Sequence, residues 1–117
     1  MKIRVDKLDV LFSKFIRLRA KNHCERCGAY KEKGLQCCHF HSRRKHSVRY
    51  DEDNACALDF GCHQYLDSHP LEKIEFFKKR LGNIGFDMLN HRANQPKKPD
   101  KKLLALYFQG LMKEVEK

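Results

Sequence analysis

Two short motifs, Cys24-Glu25-Arg26-Cys27-Gly28 and Asp59-Phe60-Gly61-Cys62, constrain this chain more than any other feature. The CxxC spacing lets two thiolates converge on one tetrahedral ion from a tight turn, and the following glycine relieves the backbone there. One such pair is half of a four-ligand site, so the other half must come from later in the chain. Cys62 is the natural third ligand. Asp59, three residues earlier, is a chemically allowed fourth because zinc accepts carboxylate oxygen; Cys56 is the alternative and Cys37 a further reserve. All six cysteines lie between Cys24 and Cys62, and in a reducing compartment such a group reads as metal ligands or packed thiols rather than disulfides. A structural Zn²⁺ knuckle is the expectation.

Composition narrows the rest. A chain of 117 residues has room for one ordinary domain, and 41% hydrophobic content with eight Phe can build its core. Twenty-five Lys and Arg against 15 Asp and Glu leave a formal charge of +10, which predicts attraction to a polyanion, nucleic acid being the commonest. The leading stretch MKIRVDKLDVLF is charged throughout and has no apolar signal-peptide core. No run approaches the roughly 20 apolar residues of a membrane span. The expectation is a soluble protein of the cytoplasm, with no membrane partner.

Helical periodicity covers residues 6 to 21, where Leu8, Leu11, Phe12, Phe15 and Ile16 share a face, Asp6 is the start signal and Asn22-His23 the stop. Leu35 to Phe40 and Ala55 to Leu58 are strand candidates. After the first runs a basic loop, His41 to Arg49, carrying Arg43, Arg44, Lys45 and Arg49 without an acid, and then a turn over Tyr50 to Asn54. A helix opens at Cys62 to Leu66, another runs from Pro70 to a stop at Gly82, and a last amphipathic helix spans Lys102 to Glu116 after the basic linker QPKKPDKK. The expected organisation is a small α+β fold: residues 1–94 form the main domain, with an N-terminal helix and a zinc knuckle, and 95–117 form a linker and C-terminal helix.

This layout places His39 on the first strand, Asn54 before the second and His63 at the start of the next helix, where one face could gather all three around a divalent ion. Phosphodiester hydrolysis needs a base for water, a cation for the developing charge, and something to orient the base. Asp67, one helical turn after His63, shares its face, and His41 is a reserve ligand.

CxxCG, LQCxHFxSRR, RYDxxNAxxL and CHxxL followed by Pro-Leu-Glu occur here in that order. Together they resemble the HNH endonucleases, most closely the small zinc-containing HNH nucleases of phages and prophages and the NinG-type recombination proteins, over roughly residues 8 to 77. The resemblance implies a ββα-metal (His-Me finger) HNH motif flanked by helices. It also implies a metal-dependent DNA endonuclease that nicks one strand per active site. By the same resemblance His39 would be the general base, Asn54 would hold the hairpin turn and orient the base or the metal, and His63 would ligate a catalytic Mg²⁺ or Mn²⁺, with Asp67 added by its helical spacing. Many relatives carry Asp or His directly before the base as a further ligand, where this chain has Cys38.

Arg43, Arg44, Lys45 and Arg49 would grip the DNA backbone. Partners beyond DNA would be phage terminase or recombination proteins, in a bacterial or phage-infected cell, and a double-strand break would need paired nicks or a homodimer. The rival reading is a zinc-stabilised, non-catalytic DNA-binding accessory protein of phage packaging or recombination.

Overall fold

The structure, a computed structural model, describes residues 4–116. Residues 1–3 and 117, the outer ends of the two expected segments, lie outside the described residues. Asp6 opens α1 (Lys7–Arg19) with a capping box: its carboxylate accepts from the Asp9 N–H at 2.7 Å and the Asp9 carboxylate accepts from the Asp6 N–H at 2.9 Å. Leu8, Phe12, Phe15 and Ile16 are buried, as their spacing predicts. The helix ends where Lys21 and Asn22 adopt positive φ (53° and 59°), which turns the chain into the knuckle.

Strands β1 (Gln36–His39) and β2 (Ala55–Leu58) pair antiparallel, with Gln36 opposite Leu58, Cys38 opposite Cys56 and His39 opposite Ala55. Two single 3₁₀ turns, His46–Val48 and Glu52–Asn54, shape the connection. Helix α2 (Phe60–Ser68) follows β2 directly, then α3 (Pro70–Ala93) and α4 (Lys101–Glu116). Four helices and one two-stranded sheet among the described residues make the expected small α+β fold. None of these helices is long and apolar enough to cross a membrane.

The structure extends the sequence reading in two places. Gly82 (φ 78°, ψ 165°) does break the helix begun at Pro70, but the chain re-enters helix at once and continues to Ala93. This second half buries Phe86, Leu89 and Ala93, the last two packing against Val48. Phe40 sits between Phe77 and Phe86, 5.2 Å from each ring. The C-terminal helix is also no appendage. Phe108, 1% exposed, packs edge-on 5.2 Å from Phe12 and tilted 5.3 Å from Phe15, so α4 completes the same core as α1.

Asp6 joins three segments. Its carboxylate caps α1, accepts from Tyr50 Oη at 2.6 Å and meets Lys101 Nζ at 2.9 Å. Partial burial opposes its ionisation, yet the bonds from Tyr50, the Asp9 N–H and Lys101 outweigh it and hold the carboxyl well below its ordinary 3.8. A carboxyl lowered in the fold contributes stability above its unfolded pKa and loses it on acidification. Asp6→Ala is therefore expected to lower stability at neutral pH by about 1–2 kcal/mol. Denaturant melts of variant and wild type should converge progressively as pH falls below 3.8.

Candidate metal centre

The CxxC turn is built as its spacing predicts. The Gly28 N–H donates to the Cys24 carbonyl at 2.8 Å, the Cys24 N–H to the Ala29 carbonyl at 2.9 Å, and Gly28 takes φ 80°. Glu25 hooks this turn to the sheet: its N–H donates to the Ala57 carbonyl at 2.8 Å, and its carboxylate accepts from the Ala57 N–H at 2.6 Å. The thiols of Cys24 and Cys27 therefore meet the start of α2. Ligand atoms of Cys24, Cys27, Asp59 and Cys62 all lie within 4.8 Å of one another, a cluster that could bind a metal such as zinc.

Asp59 has two jobs in this cluster. Its Oδ1 caps α2 by accepting from the Cys62 N–H at 2.8 Å, while Oδ2 accepts from Cys27 Sγ at 3.0 Å. The Cys27 contact, then the Cys62 N–H, lower its pKa to about 2. Arg26 lies over the Tyr65 ring at 4.3 Å and donates to Cys62 Sγ at 3.4 Å, which places a positive charge beside the cluster. The alternative ligand Cys56 is elsewhere: it is fully buried, opposite Cys38 in the strand register, and outside the four-residue cluster. Cys37, the other reserve thiol, lines a groove on the far side, where burial pushes it up to about 12.

That groove, about 910 Å³ and open to solvent, is lined by His39, His63, Asp67, Arg43 and Lys73 among others. The two predicted imidazoles therefore share one surface. His39 Nε2 is buried without a hydrogen-bond partner. Burial, then the Arg43 guanidinium, lowers the His39 pKa to about 4, so the ring is neutral at pH 7. His63 Nδ1 pairs with Gln36 Oε1 at 2.7 Å, which makes Nδ1 the protonated nitrogen and turns Nε2 toward Asp67 Oδ2 at 3.3 Å. Lys73 Nζ holds the other Asp67 oxygen at 2.7 Å.

A second donor cluster results: Cys38, His63 and Asp67, again with ligand atoms within 4.8 Å of one another. The Cys38 thiol is lowered, first by a hydrogen bond from Cys56 and further by His63, and His63 is raised in turn by Cys38. The expected Mg²⁺ does not fit this set, which offers sulfur, nitrogen and a single carboxylate where that ion demands oxygens.

Asn54 does not reach the groove. It is fully buried, with Oδ1 accepting from the His41 N–H at 2.8 Å and Nδ2 donating to the carbonyls of His41 and Val48 at 3.0 Å each. It clamps the two ends of the loop after β1. His41 is not a reserve ligand, since its Nε2 lies 2.7 Å from Asn90 Oδ1 on α3.

The basic loop divides. Arg44 and Lys45 are exposed, and Arg43 lines the groove 3.7 Å from Asp9. Arg49 is instead 7% exposed, its Nε donating to Asp9 Oδ1 at 3.0 Å and its Nη2 to the Arg4 carbonyl at 2.9 Å. A guanidinium so engaged ties α1 to the loop and is not presented to a ligand. Gln36 and Lys73, which orient His63 and Asp67, carried no signal in the sequence beyond being polar.

No family model, no curated protein and no solved structure matches the chain.

Two outcomes test this geometry. Cys62→Ser should lower the zinc content of the purified protein by one ion per chain, whereas Cys56→Ser should leave it unchanged in metal analysis. Asn54→Ala strands the His41 N–H and the Val48 carbonyl in the interior. It should lower the unfolding free energy by about 2–3 kcal/mol in denaturant titration.

Proposed function

We propose that the chain is a metal-dependent DNA endonuclease of the HNH type, with a structural zinc knuckle beneath a strand–strand–helix active site. One observation carries the reading: a neutral His39 imidazole, its Nε2 without a hydrogen-bond partner, shares an open groove with His63 and Asp67 of the three-donor cluster they form with Cys38. Groups of those two kinds are what phosphodiester hydrolysis requires side by side. The sequence motifs that resemble HNH nucleases fall on the same residues, and the formal charge of +10 suits a polyanionic substrate.

In this reading His39 accepts a proton from water as the water oxygen attacks phosphorus. The bond to the 3′ oxygen breaks, leaving a 5′-phosphate and, after protonation from solvent, a 3′-hydroxyl. Burial keeps His39 unprotonated, and so competent as a base, at neutral pH. Arg43 at the groove, with exposed Arg44 and Lys45 beside it, contacts phosphates. Arg49 is left out of that contact set because its charge is engaged by Asp9. Cys38, His63 and Asp67 would hold a divalent ion, which would supply positive charge against the phosphate. Asn54 acts at one remove, fixing the loop that carries Arg43.

The test is incubation of supercoiled plasmid with the protein and divalent ions. Wild type should give open-circle product, and His39→Ala should reduce the rate by about 10²–10⁴-fold, the usual worth of a positioned base. Loss of His63 should be at least as severe. Equal traces of product from wild type and both variants would overturn the catalytic reading in favour of a DNA-binding accessory protein.

A further inference from the structure

We propose that the Cys38, His63, Asp67 site selects a thiolate-preferring divalent ion of the zinc, cobalt or nickel kind and discriminates against Mg²⁺. The inference deepens the nuclease reading by naming the ion its site takes, although binding can be measured without any cleavage.

The donor set is the first argument. One sulfur, one imidazole nitrogen and one carboxylate oxygen, all within 4.8 Å of one another, can reach a single ion at the roughly 2.0–2.3 Å bond lengths zinc takes with such atoms. Three protein ligands with further positions open to a groove is the pattern of a catalytic rather than a structural zinc-type site. Mg²⁺ seeks near-octahedral oxygen and keeps several waters, and only Asp67 meets that demand here. Soft thiolate favours the later first-row metals instead.

Burial makes the choice hard to evade. Cys38 is fully buried on β1, locked opposite Cys56 by the strand register, so its sulfur cannot swing away and let water take its place. The outer partners agree. Gln36 occupies His63 Nδ1 and leaves Nε2 for an ion; Lys73 occupies one Asp67 oxygen and leaves Oδ2 beside that nitrogen. Lys73 also opposes a cation, but a thiolate and a carboxylate outweigh its single charge. With a divalent ion bound the cluster is net positive, which suits a phosphate substrate.

The knuckle must be kept separate in any test, because its own thiolates bind the same metals. The full chain, loaded with one zinc in the knuckle, is titrated with Co²⁺ and followed by absorption. The expected result is one further equivalent bound with a thiolate-to-cobalt charge-transfer band, undisturbed by millimolar Mg²⁺. Cys38→Asp should remove that band, weaken Co²⁺ at least about 100-fold, beyond what losing an outer-shell partner costs, and let Mg²⁺ compete. Because a carboxylate at a fully buried position could prevent folding, Asp67→Asn, whose side chain is 49% exposed, is run alongside. It should keep the knuckle zinc and the fold while weakening the second equivalent.

Failure to bind a further equivalent would overturn the proposal, as would binding without the band or displacement of Co²⁺ by equimolar Mg²⁺. Cobalt binding as described in a protein that never cuts plasmid would leave this inference standing and defeat the nuclease reading. Cleavage supported by Mg²⁺ alone after removal of transition metals would do the reverse.

Discussion

A single carboxylate starts the helix on which both donor clusters depend. Asp59 Oδ1 caps α2 on the Cys62 N–H, and Oδ2 meets Cys27 Sγ. Initiating the helix and closing the knuckle are thus the same local event. A short helix of nine residues is marginal alone, so anchoring its first turn to the CxxC turn gives it a fixed origin. From that origin the helical rotation does the rest. Asp59 and Cys62 face the knuckle, while His63 and Asp67, four apart on another face, look into the groove. A thiolate at position 59 would complete the knuckle but would lose the carboxylate cap.

The groove's other wall depends on a clamp rather than a metal. The chain between β1 and β2 carries the basic residues and is short of regular structure, so its position must be imposed. Asn54 ties His41 to Val48 from within, Ser47 Oγ donates to the Arg92 carbonyl at 2.7 Å, and Arg92 pairs with Asp51 at 2.7 Å and Asp53 at 3.0 Å. Arg49 pulls the same segment toward α1 through Asp9. That ion pair is buried, and desolvation cancels much of its attraction. Its contribution is to orientation, since either partner left alone in the interior would be strongly destabilising.

What the sequence disclosed was what short-range chemistry decides. Asp6 as a helix start, the α1 apolar face, the CxxC turn and the strand around Cys38 are set by residues within a few positions of one another, and each formed where expected. The helix from 83 to 93 was hidden because Gly82 is a sound stop signal and does act as one locally. Only the docking of Phe86 and Leu89 on the hairpin loop explains why helix resumes. Arg49 looked like its basic neighbours because nothing nearby in sequence announces Asp9, forty positions away, as its partner. The Cys56 question stayed open for the same reason. Only the register with Cys38 decides which cysteine it meets.

That register also bears on what Cys38 does. A thiol lowered by Cys56 and His63, with a carboxylate beyond the imidazole, has the electrostatics of a nucleophile and its base. Access separates the two roles. A nucleophile must reach an electrophile in a bound substrate, and Cys38 is fully buried behind the strand, whereas a metal ligand needs only to reach an ion a bond length away. His39, the next residue, lines the groove. Strand alternation thus sends adjacent side chains to different sides: sulfur inward, where it could hold a cation, and imidazole to the wall of the groove. The buried thiol is therefore better suited to set which ion the site holds than to attack anything itself.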